Sequence, residues 1–237
     1  MARVAVFVDV DWTLTDRERR ISSRVVEALE RLQREGYFVV LASATAYPIV
    51  YGLSRYLPTS GVAVGENGGV VGDGRRLEIL GRIDKELVLR VARERLSCCL
   101  EDSWQNLFRF VDVTFALRKG VDPGYAVGEA RHVFGAMGLE VKYSGVALHV
   151  HPPGVNKGVG LRKALEMLGG GFDYVVAVGD SEVDVDMFRV ADFSACPAHA
   201  PEEVKKEASY VAKAPYSDGF LEIVDVVLRG AGKPAKE

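Results

Sequence analysis

Five consecutive apolar residues, Val4-Ala5-Val6-Phe7-Val8, stand near the start of the chain and stop at an acid, Asp9. Such an unbroken run predicts a strand covered on both faces, as in a parallel sheet flanked by helices. The apolar positions Val25, Val26, Leu29 and Leu32 then recur at helical spacing, after Ser22 or Ser23 as a cap and before Gly36 as a stop. Tyr37 to Ser43 (YFVVLAS) predicts a second buried strand. Pro48 suits the first turn of a helix carrying Ile49, Leu53 and Leu57, and Gly61 to Val71 reads as a short strand and turn. Strands alternating with helices in this way indicate a doubly wound sheet.

The rhythm changes near Leu80. A helix is predicted over Asp84 to Leu96, an alternating strand region over Leu107 to Leu117, another helix after Pro123, and paired strands in LEVKY and VALHV around Ser144-Gly145. Past Pro152-Pro153 the strand-helix alternation returns, with a helix over Lys157 to Leu168, a buried strand in FDYVVAV, an acidic helix start and a last helix over Phe220 to Leu228. A polar tail, Gly230 to Glu237, follows. The expected fold is α/β: a doubly wound, Rossmann-like parallel-sheet core made of residues 1-80 and 153-237, with an α/β cap inserted at 81-152. A chain of 237 residues is long enough for both units.

Composition narrows the chemistry. With 27% charged residues and a formal net charge of −3, the chain lacks the basic excess of a nucleic-acid binder, so no such partner is expected. No apolar run approaches the roughly 18 residues of a membrane span, so no membrane partner is expected either. Cys98, Cys99 and Cys196 are odd in number, two of them adjacent, and none has metal-ligand spacing, which fits a reducing, cytoplasmic setting. A homodimer is compatible with this composition.

Asp9 and Asp11 follow the first strand two residues apart, so in extended backbone both side chains leave the same face at the sheet's C-terminal edge. Two carboxylates there repel each other, which favours a bound cation or a shared proton. GDSEVDVDM, after FDYVVAV, places Asp180 at another strand tip and Asp184 about one helical turn on. Hard oxygen ligands of this kind suit Mg²⁺. Acids also favour a helix N-terminus through its dipole, which would explain Glu182 and Asp184 but not Asp180. Lys157 opens a helix, and Ser43 ends the second strand, where a hydroxyl and backbone amides could hold phosphoryl oxygens. GENGGVVGDG at 65 to 74 matches neither glycine-rich nucleotide motif. His132, His149, His151 and His199 lack metal spacing and read as structural, with His149 the most interesting of the four.

In order, DVDWT at 9 to 13, Ser43, Lys157 and GDSEVD at 179 to 184 resemble the four motifs of the haloacid dehalogenase superfamily of phosphohydrolases. The insert resembles the α/β cap of the Cof-like branch. DVDWTLTD, GENGG, the YSG before His149 and CPAHA at 196 to 200 are similar to the archaeal phosphoglycolate phosphatases. This resemblance implies that Asp9 is the nucleophile, Asp11 the acid and then the base, and Ser43 and Lys157 phosphoryl-binding groups. It implies Mg²⁺ held by Asp9, the backbone carbonyl of Asp11 and Asp180, with Asp184 as a further ligand or a support behind them. Trp12 stands where that family usually has glycine, which sets a bulky residue in a tight turn, and Val183 where it usually has asparagine. The implied activity is Mg²⁺-dependent hydrolysis of a small phosphorylated metabolite through an aspartyl phosphate, with 2-phosphoglycolate as the expected substrate and His149 and Arg109 as partners for its carboxylate. A sugar-phosphate phosphatase, a phosphotransferase or a mutase of the same superfamily shares these motifs. A receiver-like signalling module has similar acids but no cap, and its phosphorylated aspartate ends an interior strand.

Overall fold

The computed structural model describes residues 2–231, so most of the predicted polar tail lies outside the described residues. The chain begins with β1 (Val4–Val8), α1 (Ser23–Arg34), β2 (Phe38–Ala42), α2 (Tyr47–Tyr56), β3 (Ala63–Gly65), β4 (Val70–Gly72) and β5 (Leu77–Ile79). A second group follows: α3 (Lys85–Arg95), β6 (Leu100–Asp102), β7 (Val113–Leu117), α4 (Pro123–Gly135), β8 (Glu140–Tyr143) and β9 (Leu148–His151). The last group is α5 (Lys157–Met167), β10 (Tyr174–Val178), α6 (Val185–Phe188), β11 (Phe193–Cys196), α7 (Glu202–Glu207), β12 (Tyr210–Val211) and α8 (Tyr216–Val226).

The first and last groups build one sheet in the order β12-β11-β10-β1-β2-β3-β4-β5. It is parallel from β12 to β3 and antiparallel at β4 and β5. Alternation along β1 shows why its whole run is apolar. Val4, Val6 and Val8 pack on one face with Val25 and Leu29 of α1 and Phe220 of α8, whereas Ala5 and Phe7 pack on the other with Leu161 of α5 and Met187 of α6. The order reverses around β1, whose neighbours are β10 and β2, so the C-terminal end of β1 is the switch point where such sheets bind ligands.

The middle group builds a separate antiparallel sheet, β6-β7-β9-β8. Val113, Phe115, Leu148 and Val150 pack against α3 and α4 through Val88, Ala92, Ala126, Ala130 and Phe134. Period two sends the intervening Thr114 and His149, paired across β7 and β9, to the opposite face.

Helices and long strands fall close to their expected places. The strand expected from Leu107 does not begin until Val113, because Trp104–Leu107 forms a short helical turn capped by the Ser103 side chain. The short β5, β6, β11 and β12 carry too few residues for a periodic signal.

Candidate active site

Asp9 leaves β1 in extended conformation, its N–H bonded to Val178 O of β10 at 2.9 Å. The chain then turns sharply at Trp12, whose backbone is left-handed at φ 61° and ψ −4°. The turn expected of glycine is therefore made by tryptophan, at a backbone cost of about 1–2 kcal/mol. Trp12 N–H donates to Thr15 Oγ1 at 2.7 Å and Thr15 N–H to Val10 O at 3.2 Å, which closes the loop. The indole lies against Gly145, between β8 and β9; a Cβ there would come within 3.0 Å of the ring.

Lys157, the first residue of α5, is buried with its ammonium 2.5 Å from both Asp9 Oδ1 and Asp184 Oδ1. Close backbone approach delivers it. A Cβ on Gly68 would lie 2.0 Å from Asn156 O, so only glycine lets the β3–β4 turn meet the start of α5. Asp184 folds back over its own turn: Oδ2 accepts from Asp180 N–H (3.0 Å), Ser181 N–H (2.9 Å) and Ser181 Oγ (2.8 Å). A Cβ on Gly179 would sit 2.4 Å from the Asp184 carboxyl carbon, which explains the glycine before Asp180. Asp180 itself accepts from Thr13 Oγ1 at 3.0 Å and from His199 Nε2 at 3.3 Å.

Asp9, Asp180 and Asp184 are all buried and each offers a carboxylate oxygen within 4.8 Å of the others. Burial pushes the Asp9 carboxyl well above its ordinary range; Lys157 opposes this, and Asp184 and Asp180 add to it. Burial likewise raises Asp180, while the hydrogen bond from His199 opposes that rise. Burial works against the charge on Lys157, but Asp184 and Asp9 prevail and carry its ammonium above the usual lysine range. One cation among three converging carboxylates leaves an excess of negative charge, and oxygen donors of this kind fit a hard divalent ion. The Asp11 carboxylate is outside that group and only half-buried.

Ser43 is buried at the end of β2, where its Oγ accepts from Thr45 N–H at 3.1 Å and so keeps its own proton to donate. A cavity of about 360 Å³ joins Asp9, Asp11, Ser43 and Asp180 to Arg109, Thr114, Ser144 and His149 of the middle group. The sequence-derived residues thus converge on one cavity, with Lys157 and Asp184 directly behind Asp9.

The polar wall opposite the aspartates is a network that the sequence did not disclose. Arg109 is buried, and its Nη1 pairs with Asp112 Oδ1 at 2.5 Å and donates to Ala44 O at 3.1 Å. Nη2 donates to Gln105 Oε1 at 2.9 Å, and the same oxygen accepts from Ala46 N–H at 3.0 Å. Asp112 Oδ2 faces His149 Nδ1 at 3.0 Å. Although burial opposes it, the Arg109 guanidinium, with His149 beside it, holds the Asp112 carboxyl down at about 2. Burial also pushes the His149 imidazole below its ordinary value, outweighing Asp112. Glu66, left-handed at φ 52°, reaches across from the β3–β4 turn to accept from the N–H groups of Phe110 (2.9 Å) and Val111 (2.7 Å). Burial and the Asp112 charge raise Glu66 to about 7.

Thr13, Ser181, His199, Gln105 and Asp112 had no periodic or spacing signal of their own: Thr13, His199, Gln105 and Asp112 each bond a residue well separated in the chain, and Ser181 is defined by the turn that folds Asp184 back over it. For Thr13 and His199, the only available hint was their position inside DVDWT and CPAHA.

The chain is also similar to proteins already described. A family model described as haloacid dehalogenase-like hydrolase matches residues 6–97 and 136–224. A phosphoglycolate phosphatase of Aeropyrum pernix is 35% identical over 238 aligned residues, covering 98% of this chain and 96% of that protein. A phosphoglycolate phosphatase of Methanoculleus marisnigri is 37% identical, covering 91% and 93%. A Thermoplasma acidophilum crystal structure superposes with a TM-score of 0.79 at 28% identity, covering 95% of this chain and 98% of that one. A family model spanning most of the chain, and relatives above 30% identity along almost its full length, establish that this protein belongs to the haloacid dehalogenase-like hydrolases.

Proposed function

We propose that this chain is a phosphatase that hydrolyses a small phosphorylated metabolite, with 2-phosphoglycolate the best-supported substrate. The observation that carries this reading is the buried set of Asp9, Lys157, Asp180 and Asp184 at the end of β1, opening onto a cavity walled by the second sheet. In this proposal residues 1-80 and 153-237 form the catalytic core and residues 81-152 the cap. The cavity's volume suits a small phosphorylated acid rather than a phosphoprotein, and both curated relatives described above are named for phosphoglycolate.

Lys157 engages Asp9 Oδ1, which leaves Oδ2 to attack phosphorus. The phosphorus–oxygen bond to the leaving group breaks as the bond to Asp9 forms, and Asp11 gives its proton to the departing alkoxide. Asp11, now a carboxylate, removes a proton from the water that attacks the aspartyl phosphate, releasing inorganic phosphate and restoring Asp9. Ser43 donates to a phosphoryl oxygen through the proton that Thr45 leaves free. Asp9, Asp180 and the Asp11 carbonyl would hold Mg²⁺, which when bound neutralises phosphoryl charge. Asp184 supports them from behind, because its two oxygens already accept four hydrogen bonds.

The test is phosphate release from 2-phosphoglycolate and a panel of sugar phosphates, with Mg²⁺ and after chelation, for the parent and Asp9→Asn. The parent should turn over phosphoglycolate with the highest kcat/KM only when Mg²⁺ is present, and folded Asp9→Asn should be inactive. Preference for a sugar phosphate would overturn the substrate, and activity in Asp9→Asn would overturn the nucleophile.

A further inference from the structure

Asp180 differs from its two neighbours in how it is held. Lys157 binds Asp9 and Asp184, but Asp180 takes its hydrogen bonds from Thr13 Oγ1 on one oxygen and His199 Nε2 on the other. His199 follows β11, and both of its ring nitrogens have defined partners. Its Nδ1 accepts the Tyr216 N–H at 3.1 Å, so the ring proton is on Nε2 and points to Asp180 Oδ2. Tyr216 makes that bond from a left-handed backbone, φ 52°, at the first residue of α8, and its ring stacks on the imidazole with centroids 4.1 Å apart. The next residue, Ser217, donates its N–H to Thr15 O at 3.1 Å, in the same loop that supplies Thr13. The start of α8 therefore fixes the tautomer and plane of His199, and His199 with Thr13 fixes the plane of Asp180.

A carboxylate offers about four lone-pair sites; two are occupied here, leaving one on each oxygen for a cation. We propose that His199 is a positioning residue for the cation site, holding Asp180 at the orientation in which its remaining lone pairs meet a divalent ion. Groups behind a metal ligand act in this way by removing its freedom to rotate before binding. This inference rests on Asp180 being a cation ligand, and its experiment separates the two.

Mn²⁺, a hard ion that takes oxygen sites of the Mg²⁺ type, is titrated into the chelator-stripped full chain, and the free ion is followed by electron paramagnetic resonance. Four proteins are compared: the parent, His199→Phe, His199→Gln and Asp180→Asn. Phenylalanine keeps the ring stack on Tyr216 but removes both the donor to Asp180 and the acceptor of the Tyr216 N–H; glutamine restores a side-chain N–H together with a side-chain acceptor. His199→Phe should bind Mn²⁺ roughly 10- to 100-fold more weakly than the parent, His199→Gln should recover most of that loss, and Asp180→Asn should bind more weakly than either. Thermal melts in chelator verify that all four are folded. Parent-like affinity in His199→Phe beside a loss in Asp180→Asn would overturn the role of His199 alone. Equal losses in the phenylalanine and glutamine variants would also overturn it, by showing that the N–H is irrelevant. Parent-like affinity in Asp180→Asn would instead overturn the cation site itself.

Discussion

Replacing Lys157 with methionine is the most informative perturbation, because methionine keeps an unbranched side chain of nearly the same length and similar helix preference and deletes the ammonium, with its charge and its hydrogen bonds to Asp9 and Asp184. Lys157 is buried between Asp9 and Asp184, at 2.5 Å from each. At an effective dielectric constant of about 20, each contact is worth roughly 7 kcal/mol of Coulomb attraction. Desolvation of three buried ions returns several kcal/mol apiece, so the net is far smaller than that sum. Removing one partner leaves the carboxylates uncompensated, and such breaks cost about 3–5 kcal/mol. In a chain of 237 residues, with roughly 2–4 °C of melting temperature per kcal/mol, the expected fall is about 6–20 °C. Mg²⁺ should restore part of it, since an ion bound at a hundredfold excess over its Kd contributes about 2.7 kcal/mol. Calorimetric melts in chelator and in Mg²⁺ measure both effects, alongside a large loss of kcat/KM. A variant melting within about 2 °C of the parent in chelator would refute the claim that this lysine neutralises the cluster.

Glu66 supplies a pH test. Its folded carboxyl is raised from 4.5 to about 7, so its contribution to stability is complete below 4.5 and is lost as pH rises through 7, a change on the order of 3 kcal/mol. Denaturant melts between pH 4.5 and 8 should therefore show Glu66→Gln gaining on the parent as pH rises, and a constant difference would refute the raised carboxyl. Arg109→Ala should lower kcat/KM roughly 10- to 100-fold on an aryl phosphate as well as on phosphoglycolate, because the guanidinium holds Ala44 O beside Ser43. A loss confined to phosphoglycolate would instead make Arg109 a carboxylate anchor. Trp12→Gly should be more stable than Trp12→Ala by about 1 kcal/mol, since both delete the indole but only glycine adopts φ 61° without strain; urea midpoints measure the difference, and equal values would remove the strain.

The sequence by itself determined the parts of this protein that local pattern encodes. An unbroken apolar run identified β1, helical spacing identified α1 and α5, and acids at two strand ends identified Asp9 and Asp180. These are legible because side chains repeat with the period of their own element, and an unneeded buried carboxylate is costly enough to be noticed. Tertiary structure decided the rest. That Lys157 faces Asp9 across 148 residues, that Thr13 steadies Asp180 across 167, and that His199 donates from Nε2 all depend on which elements are neighbours. Arg109 shows the difference most directly. Sequence offered it as a partner for a substrate carboxylate; the fold shows in addition that it is buried against Asp112, Gln105 and Ala44 O, where its charge braces the wall of the cavity. The physical reason is that a side chain's type limits the bonds it can make, but only the surrounding fold supplies the partners and excludes the water that would otherwise compete for them.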